Sequence, residues 1–151
     1  NDLTVAENLN FFGGTYGVRG RQLQERKATV LEMAGLLGRE RELTSNLSGG
    51  WRQRLALGCA ILHQPEMLFL DEPTAGVDPI SRRDFWDLLY LLANEGHTIF
   101  VTTHYMDEAE YCDRVSIMVD GRIEALDTPA SLKEQYESAN MNEVFLKLAR
   151  K

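Results

Sequence analysis

The sequence is short of cysteine, of long apolar runs and of positive charge. Its 151 residues include two cysteines, Cys59 and Cys112, which lie far apart and lack the spacing of metal ligands. We therefore expect two reduced, buried thiols rather than a disulfide framework. No apolar run approaches the roughly 20 residues that cross a membrane, and no signal peptide is visible. If the protein works at a membrane, another segment or another chain must cross it.

The charge balance is acidic. Lys and Arg total 16 against 23 Asp and Glu, which gives a formal net charge of −7. An acidic chain is a poor candidate for non-specific nucleic-acid binding, so we expect no nucleic-acid partner. Nucleotide binding stays open, because helix N-termini and backbone dipoles bind phosphate whatever the net charge.

Hydrophobic periodicity divides the chain into a helical part, residues 1–64, and an alternating part, residues 65–151. The first part contains three predicted helices, at about 3–16, 22–37 and 49–63. The second part contains predicted strands at 67–71, 98–102 and 115–119, separated by predicted helices at 81–93 and 106–111. Alternation of this kind favours an α/β fold with a parallel sheet and right-handed crossovers.

The C-terminal part changes character after the third strand. Asp120-Gly121 predicts a tight hairpin turn into a strand at 123–126. Thr128-Pro129 then opens a helix, with proline at its first position. Residues 142–151 are either a short amphipathic helix or a frayed tail.

A glycine turn opens the third predicted helix. Ser48 is a good N-cap residue, and Gly49 and Gly50 have no Cβ to keep a phosphate away from the backbone. The start of a helix also offers free N–H groups and partial positive charge. A plain helix cap is the alternative interpretation, and it holds in either case.

Two acids follow the first predicted strand. Residues 67–70 are apolar and lead to Asp71 and Glu72, which predicts a buried parallel strand delivering carboxylates to its carboxyl edge. Adjacent strand residues point to opposite sides. Carboxylates next to a buried strand destabilise the fold unless their charge is paired or coordinates a metal. A magnesium ion bound to phosphate would provide such a partner. The alternative is an acid pair that merely starts a turn at Pro73. His104 follows the second strand and therefore belongs to the same edge.

Four segments together resemble motifs of an ABC-type ATPase. Residues 47–54 resemble its signature loop and 67–72 its Walker B strand, while 75–78 resemble the D-loop and 102–104 the switch histidine loop. The order and the spacing both fit. The resemblance covers nearly the whole chain but only the second half of a nucleotide-binding domain, since Gly-x-x-x-x-Gly-Lys-Ser/Thr is absent. With Asn at position 1, we expect a piece of a longer protein.

The resemblance implies a fold and a chemistry. The fold would be a P-loop NTPase-like parallel sheet that lacks the P-loop strand, with an all-helical subdomain at 1–64 and a partial catalytic core at 65–151. The cofactors would be ATP and Mg²⁺. Asp71 would hold the Mg²⁺, Glu72 would polarise the attacking water, and His104 would contact the γ-phosphate. Without its P-loop, the chain alone is expected to be inactive.

The resemblance also implies partners. Ser48, Gly49 and Gly50 would face ATP held by a second nucleotide-binding domain. Asp78 caps the helix after Pro79 and, by resemblance, also crosses the dimer interface. A transmembrane permease would meet the helical subdomain at the cytoplasmic face of a membrane. Of its aromatic residues Phe11, Phe12 and Tyr16, we expect most to pack in the core and one or two to be exposed to the permease. Residues 3–9 and 142–148 are similar to ATPase subunits of ABC-2-type exporters.

Two alternatives remain open from the residues. A non-transport ABC ATPase of translation or DNA maintenance predicts a basic surface or long heptad arms, and the sequence has neither. A non-hydrolysing domain that completes a partner's ATP site is opposed by intact Glu72 and His104, but the missing P-loop keeps it open.

Two local features give further expectations. Trp51 stands where the family usually has Gln, and its indole is expected to alter packing at the dimer interface. The family's sheet places another strand between residues 98–102 and 115–119. Without it, we expect these two strands to recruit other chains or to pair with each other.

Overall fold

The computed structural model describes residues 1–150, within which the chain forms seven α-helices and four β-strands. In chain order they are α1 Val5–Thr15, α2 Gly20–Met33, α3 Gly49–Ile61, β1 Met67–Asp71, α4 Pro79–Asn94, β2 Thr98–Thr102, α5 Met106–Ala109, β3 Val115–Val119, β4 Arg122–Asp127, α6 Pro129–Gln135 and α7 Met141–Ala149. The three strands predicted at 67–71, 98–102 and 115–119 are confirmed at both ends.

The chain folds into two compact units, the first Asn1–Thr102 and the second from Thr103 onward. The predicted division at residue 64 follows the change in hydrophobic periodicity rather than packing. It falls inside the first unit and stays a prediction.

The first unit begins with a capping box at the start of α1. The Glu7 N–H donates to the Thr4 hydroxyl at 3.2 Å, and the Glu7 carboxylate accepts from the Thr4 N–H at 2.8 Å. The bonds that the Glu7 carboxylate accepts from the Thr4 N–H and the Thr4 hydroxyl hold the pKa of Glu7 below its usual value. The start of α1 is also tied to the connection before α3, because Thr44 accepts from the Asn8 amide at 2.9 Å.

Helix α2 ends earlier than predicted. The predicted range runs to residue 37, directly before Gly38, but the helix ends at Met33, and Gly35 adopts a left-handed backbone with φ of +69°. The Leu36 N–H then bonds to the Leu31 carbonyl at 2.8 Å, which is the closing bond of a Schellman motif. The stop signal was the first of the two glycines.

The two thiols are free, and Cys59 is buried as predicted, whereas Cys112 is half-buried. Burial raises the pKa of Cys59 to about 12. Burial, with help from the charges of Asp113 and Glu108, raises the pKa of Cys112 to about 11. Both are therefore protonated at neutral pH.

Strands β1 and β2 pair in parallel, with Met67 opposite Thr98 and Asp71 opposite Thr102. Helix α4 makes the crossover between them and contacts β2. The prediction that β1 is buried on both faces is wrong. Leu68 is buried, but Phe69 is 73% exposed, because alternate side chains point to the face away from the core.

The second unit is built on an antiparallel hairpin of β3 and β4. Its turn residues Asp120 and Gly121 both have positive φ, +48° and +77°, which confirms the predicted tight turn. Within residues 1–150, β3 pairs with β4 and not with β2, so the expected extension of the parallel sheet, and the direct pairing of 98–102 with 115–119, are not found. A two-residue turn makes the neighbouring strand the nearest partner.

Helices cover one side of this hairpin and form a small core. Its buried residues are Ala109, Ile117, Leu132, Met141, Val144 and Leu148. The last helix, α7, is capped by the Asn140 side chain, which accepts from the Glu143 N–H at 3.0 Å. The C-terminal segment is therefore a packed helix through Ala149 and not a frayed tail.

Candidate functional site

The carboxyl edge of the parallel pair carries Asp71 and Thr102 side by side. They are the last residues of β1 and β2 and lie opposite each other in the register. The Thr102 hydroxyl donates to Asp71 Oδ1 at 2.5 Å, and both side chains are exposed. The sequence analysis identified Asp71 as a site residue but not Thr102. The available signal was that both predicted strands have five residues and end in a polar residue, which places Asp71 and Thr102 at the same edge.

Glu72 lies one residue beyond the strand and has left-handed backbone geometry, with φ of +44°. Because Glu72 is outside the strand, the strand alternation expected to place Asp71 and Glu72 on opposite sides does not apply to it. The Glu72 N–H donates to both the carbonyl and the hydroxyl of Thr102, each at 3.1 Å. A non-glycine residue in this region costs about 1–2 kcal/mol, and such strain concentrates at functional sites.

The glycine turn lies at the start of α3, as predicted. Ser48 is the N-cap residue, with φ of −63° and ψ of 165°, but its hydroxyl forms no capping bond with the first turn. Ser48 contributes its carbonyl instead, which accepts from the Arg52 N–H at 3.0 Å. The exposed hydroxyl is therefore not committed to the cap.

The two glycines of this turn have different surroundings. A Cβ on Gly50 would lie 2.7 Å from Ser81 Cβ and 3.7 Å from Val77 Cγ1, so glycine is required there by packing. A Cβ on Gly49 would meet nothing closer than the Gly76 carbonyl at 3.9 Å. Of the two glycines, only Gly49 therefore has a backbone that a ligand could approach.

Asp78 caps α4 beside this turn. Its carboxylate accepts from the N–H groups of Ile80 and Ser81 at 3.1 and 3.0 Å, and these bonds, led by the one from Ser81, lower its pKa. The predicted capping role is confirmed. Because Ser81 also faces Gly50, the N-termini of α3 and α4 lie next to each other.

Trp51 packs within its own unit. The guanidinium groups of Arg39 and Arg54 lie 4.6 and 5.0 Å from its ring centroid, which is a cation–π arrangement on one indole. Arg54 also pairs with Asp84 at 3.0 Å. The indole thus joins α3 to the turn after α2, near Gly35.

His104 belongs to the second unit, whereas the other candidate residues belong to the first. Its exposed ring packs on Tyr105, with centroids 4.2 Å apart. The residue before it, Thr103, donates to the Glu108 carboxylate at 2.6 Å and accepts from the Tyr105 N–H at 3.0 Å. Glu108 is fully buried, so a fixed acceptor anchors the loop that carries His104.

The donor set fits a magnesium ion that is held largely by phosphate. Within residues 1–150, no group of three or more His, Cys, Asp or Glu side chains forms a cage for a metal. Mg²⁺ commonly takes only one or two protein carboxylates and completes its shell with water and phosphate oxygens. An exposed Asp71 at a sheet edge meets that requirement.

A parallel strand pair with acids at its carboxyl edge, together with a glycine turn that opens a helix, defines part of a P-loop NTPase-like α/β fold. Solved structures agree. A structure described as the ATP binding subunit of an ABC transporter superposes with a TM-score of 0.80 at 27% identity, covering 97% of this chain and 62% of that chain. The cbiO1 protein of Clostridium perfringens superposes with a TM-score of 0.79 at 28% identity, covering 100% and 59%.

Sequence relatives narrow the class to a family. The family model described as ABC transporter matches residues 1–75. The probable multidrug ABC transporter ATP-binding protein YbhF of Escherichia coli is 49% identical over 92% of this chain and 24% of its own length. The linearmycin resistance ATP-binding protein LnrL of Bacillus subtilis is 38% identical over 95% of this chain and 49% of its own length.

The chain belongs to the ABC ATPase family and is part of an ATP-binding domain. It spans about a quarter to a half of the curated relatives it matches. None of the helices in residues 1–150 has both the length and the apolar composition of a membrane span.

Proposed function

We propose that this chain is part of the ATP-hydrolysing subunit of an ABC exporter, in which two nucleotide-binding domains enclose ATP and drive transport through a permease. The observation that carries the proposal is the carboxyl edge of β1 and β2. There, two adjacent carboxylate residues are held by hydrogen bonds to Thr102, and Glu72 has a left-handed backbone, a conformation found at active sites as well as in turns.

Each acid has a distinct role in this proposal. Asp71 holds the Mg²⁺ that accompanies ATP, and Glu72 orients and polarises the attacking water. The bound Mg²⁺ neutralises charge on the phosphate oxygens. His104 contacts the γ-phosphate and the same water, on a loop that Thr103 and Glu108 keep in place.

The glycine turn serves the second domain. The N-terminus of α3 presents free N–H groups and partial positive charge, which suit a phosphate. Ser48 and Gly49 face the γ-phosphate of ATP bound by that domain, since the hydroxyl is outside the cap and the glycine side is open. Gly50 brings the turn against α4, whose cap residue Asp78 then reaches the dimer interface.

The permease meets the helical part of the first unit. Phe11 is 61% exposed and Tyr16 is 44% exposed, and such exposure of aromatic side chains is common at docking sites. A cleft of about 340 Å³ lies beside them, lined in part by Phe12, Tyr16 and Arg52. This partner places the protein at the cytoplasmic face of the membrane, as a peripheral subunit.

Export as the direction of transport rests on the relatives. Besides the multidrug and linearmycin resistance proteins, a Nod factor export ATP-binding protein of Rhizobium sp. (strain N33) is 39% identical over 95% of this chain and 48% of its own length.

The P-loop that cradles the β- and γ-phosphates is absent from this sequence. Hydrolysis is therefore assigned to the whole protein, and the chain alone is inactive.

The test is Glu72→Gln in the whole protein to which this chain belongs. We expect turnover to fall by about 10²–10⁴, the range of general base catalysis, while ATP still binds. The matched control is Glu66→Gln, an exposed acid at the opposite end of β1, which leaves turnover unchanged. Turnover that survives Glu72→Gln would overturn the role of Glu72. ATP binding without any turnover in the unmodified protein would support the non-hydrolysing alternative.

A further inference from the structure

The Thr102 hydroxyl makes two directed hydrogen bonds at the carboxyl edge. A hydroxyl has one proton to donate, and Thr102 gives it to Asp71 Oδ1 at 2.5 Å. Its oxygen accepts from the Glu72 N–H at 3.1 Å. One side chain on β2 therefore bonds to the carboxylate of Asp71, the last residue of β1, and to the backbone of Glu72, which follows it.

Asp71 gains orientation from this contact. Its carboxylate is exposed at the end of a strand, where an unheld side chain samples several rotamers. The hydrogen bond from Thr102 to Oδ1 restrains the rotation of the carboxylate and leaves the second oxygen for a cation. Partners behind a metal ligand act in this way, since they orient the ligand before the metal arrives.

Glu72 gains a restrained backbone. A left-handed conformation at a non-glycine residue persists only when its surroundings over-determine it. The Glu72 N–H is shared between two acceptors of the same residue, the carbonyl and the hydroxyl of Thr102. Loss of the hydroxyl removes one of the two restraints on the peptide that sets the direction of the Glu72 side chain.

We propose that Thr102 is a positioning residue that aligns the Asp71 carboxylate for Mg²⁺ and the Glu72 backbone for its work on the attacking water. The proposal rests on the proposed function, in which these two acids serve ATP hydrolysis.

The test compares three variants of the whole protein. Thr102→Val keeps the shape and removes the hydroxyl, and Thr102→Ser keeps the hydroxyl. Thr98→Val is the matched control, because Thr98 is exposed on the same face at the other end of β2, opposite Met67. We expect Thr102→Val to lower kcat by about 10–100-fold, as is typical for loss of an orienting partner, with little change in KM for ATP. Thr102→Ser and Thr98→Val stay close to the unmodified protein.

A binding measurement separates alignment from turnover. Mn²⁺ replaces Mg²⁺ as a paramagnetic probe, and its affinity in the presence of ATP is measured by electron paramagnetic resonance. We expect Thr102→Val to bind Mn²⁺ about tenfold more weakly and Thr102→Ser to bind it nearly normally. Thermal unfolding without nucleotide checks each fold, and Thr102→Ala replaces Thr102→Val if the valine variant does not fold.

Asp71→Asn and Glu72→Gln, measured beside these variants, keep the two proposals distinguishable. If these substitutions leave turnover intact, the proposed function fails. If they abolish turnover while Thr102→Val matches the unmodified protein in kcat and Mn²⁺ affinity, the positioning role is wrong. Equal losses in Thr102→Val and Thr98→Val, or in Thr102→Val and Thr102→Ser, also overturn it, because the hydroxyl would then not be the cause.

Discussion

Helices α3 and α4 begin next to each other, and their first turns are built differently. At α4, Asp78 accepts two N–H bonds and Pro79 follows at the first helical position, so side chains complete that helix start. At α3, Ser48 holds the N-cap position without forming a side-chain cap. The contrast shows that side chains complete the start of α4, while the start of α3 has no side-chain cap, in keeping with the phosphate role proposed for it.

The largest expected effect comes from forcing the two helix starts apart. Gly50→Ala places a methyl group 2.7 Å from Ser81 Cβ at a buried position, and overpacking of this kind costs about 1–3 kcal/mol. We expect the substitution to lower the midpoint of thermal unfolding in the whole protein. Gly49→Ala, the neighbouring control, has room for its methyl group and lowers it less.

A compensating substitution sharpens this result. Ser81→Gly removes the atoms that a methyl group at position 50 would meet, so the double variant Gly50→Ala/Ser81→Gly regains part of the lost stability. Additive losses in a double-mutant cycle would show that the two positions are not in contact.

A smaller effect on thermal stability distinguishes the N-cap residue of α4 from that of α3. Asp78→Ala removes two hydrogen bonds and lowers the unfolding midpoint, whereas Ser48→Ala removes no capping bond and leaves it nearly unchanged. Equal losses in thermal unfolding would contradict the contrast between the helix starts.

The cap at α4 also has a pH signature. The backbone N–H bonds, chiefly from Ser81, lower the pKa of Asp78 in the folded protein. A depressed pKa contributes stability above the unfolded value, and this contribution is lost as pH falls through the folded value. The stability advantage over Asp78→Asn should therefore disappear as pH drops below about 4.

The features that sequence reasoning predicted well are those with local signals. Asp78 before Pro79 predicted the α4 cap, and the acid pair after an apolar run predicted the end of β1. Thr102 was not identified because its role depends on the register between two strands that are distant in sequence. The contact of Gly50 with Ser81 was missed for the same reason, since it joins two helices across the fold.

Other errors have a conformational cause. Glutamate has no sequence signal for a left-handed backbone, so the positive φ of Glu72 was not foreseen. The exposed face of β1 was missed because a continuous apolar run does not show how many of its faces are covered. That face carries Phe69 and Phe100, which are both exposed and whose ring centroids lie 6.0 Å apart.

The central claim is that the acids of one subunit work with the α3 start of the other. Mixed dimers of the whole protein, purified with two different affinity tags, test it through their ATP turnover. Glu72→Gln disables the acid, and Ser48→Arg blocks the α3 start with a bulky side chain. With the two changes on different subunits, both fall in one composite site and the other site stays intact, so turnover persists. With both changes on one subunit and none on its partner, each composite site is damaged and turnover is lost. The reverse pattern, turnover only when both changes share a subunit, would show that each subunit hydrolyses ATP with its own α3 start and would contradict the account.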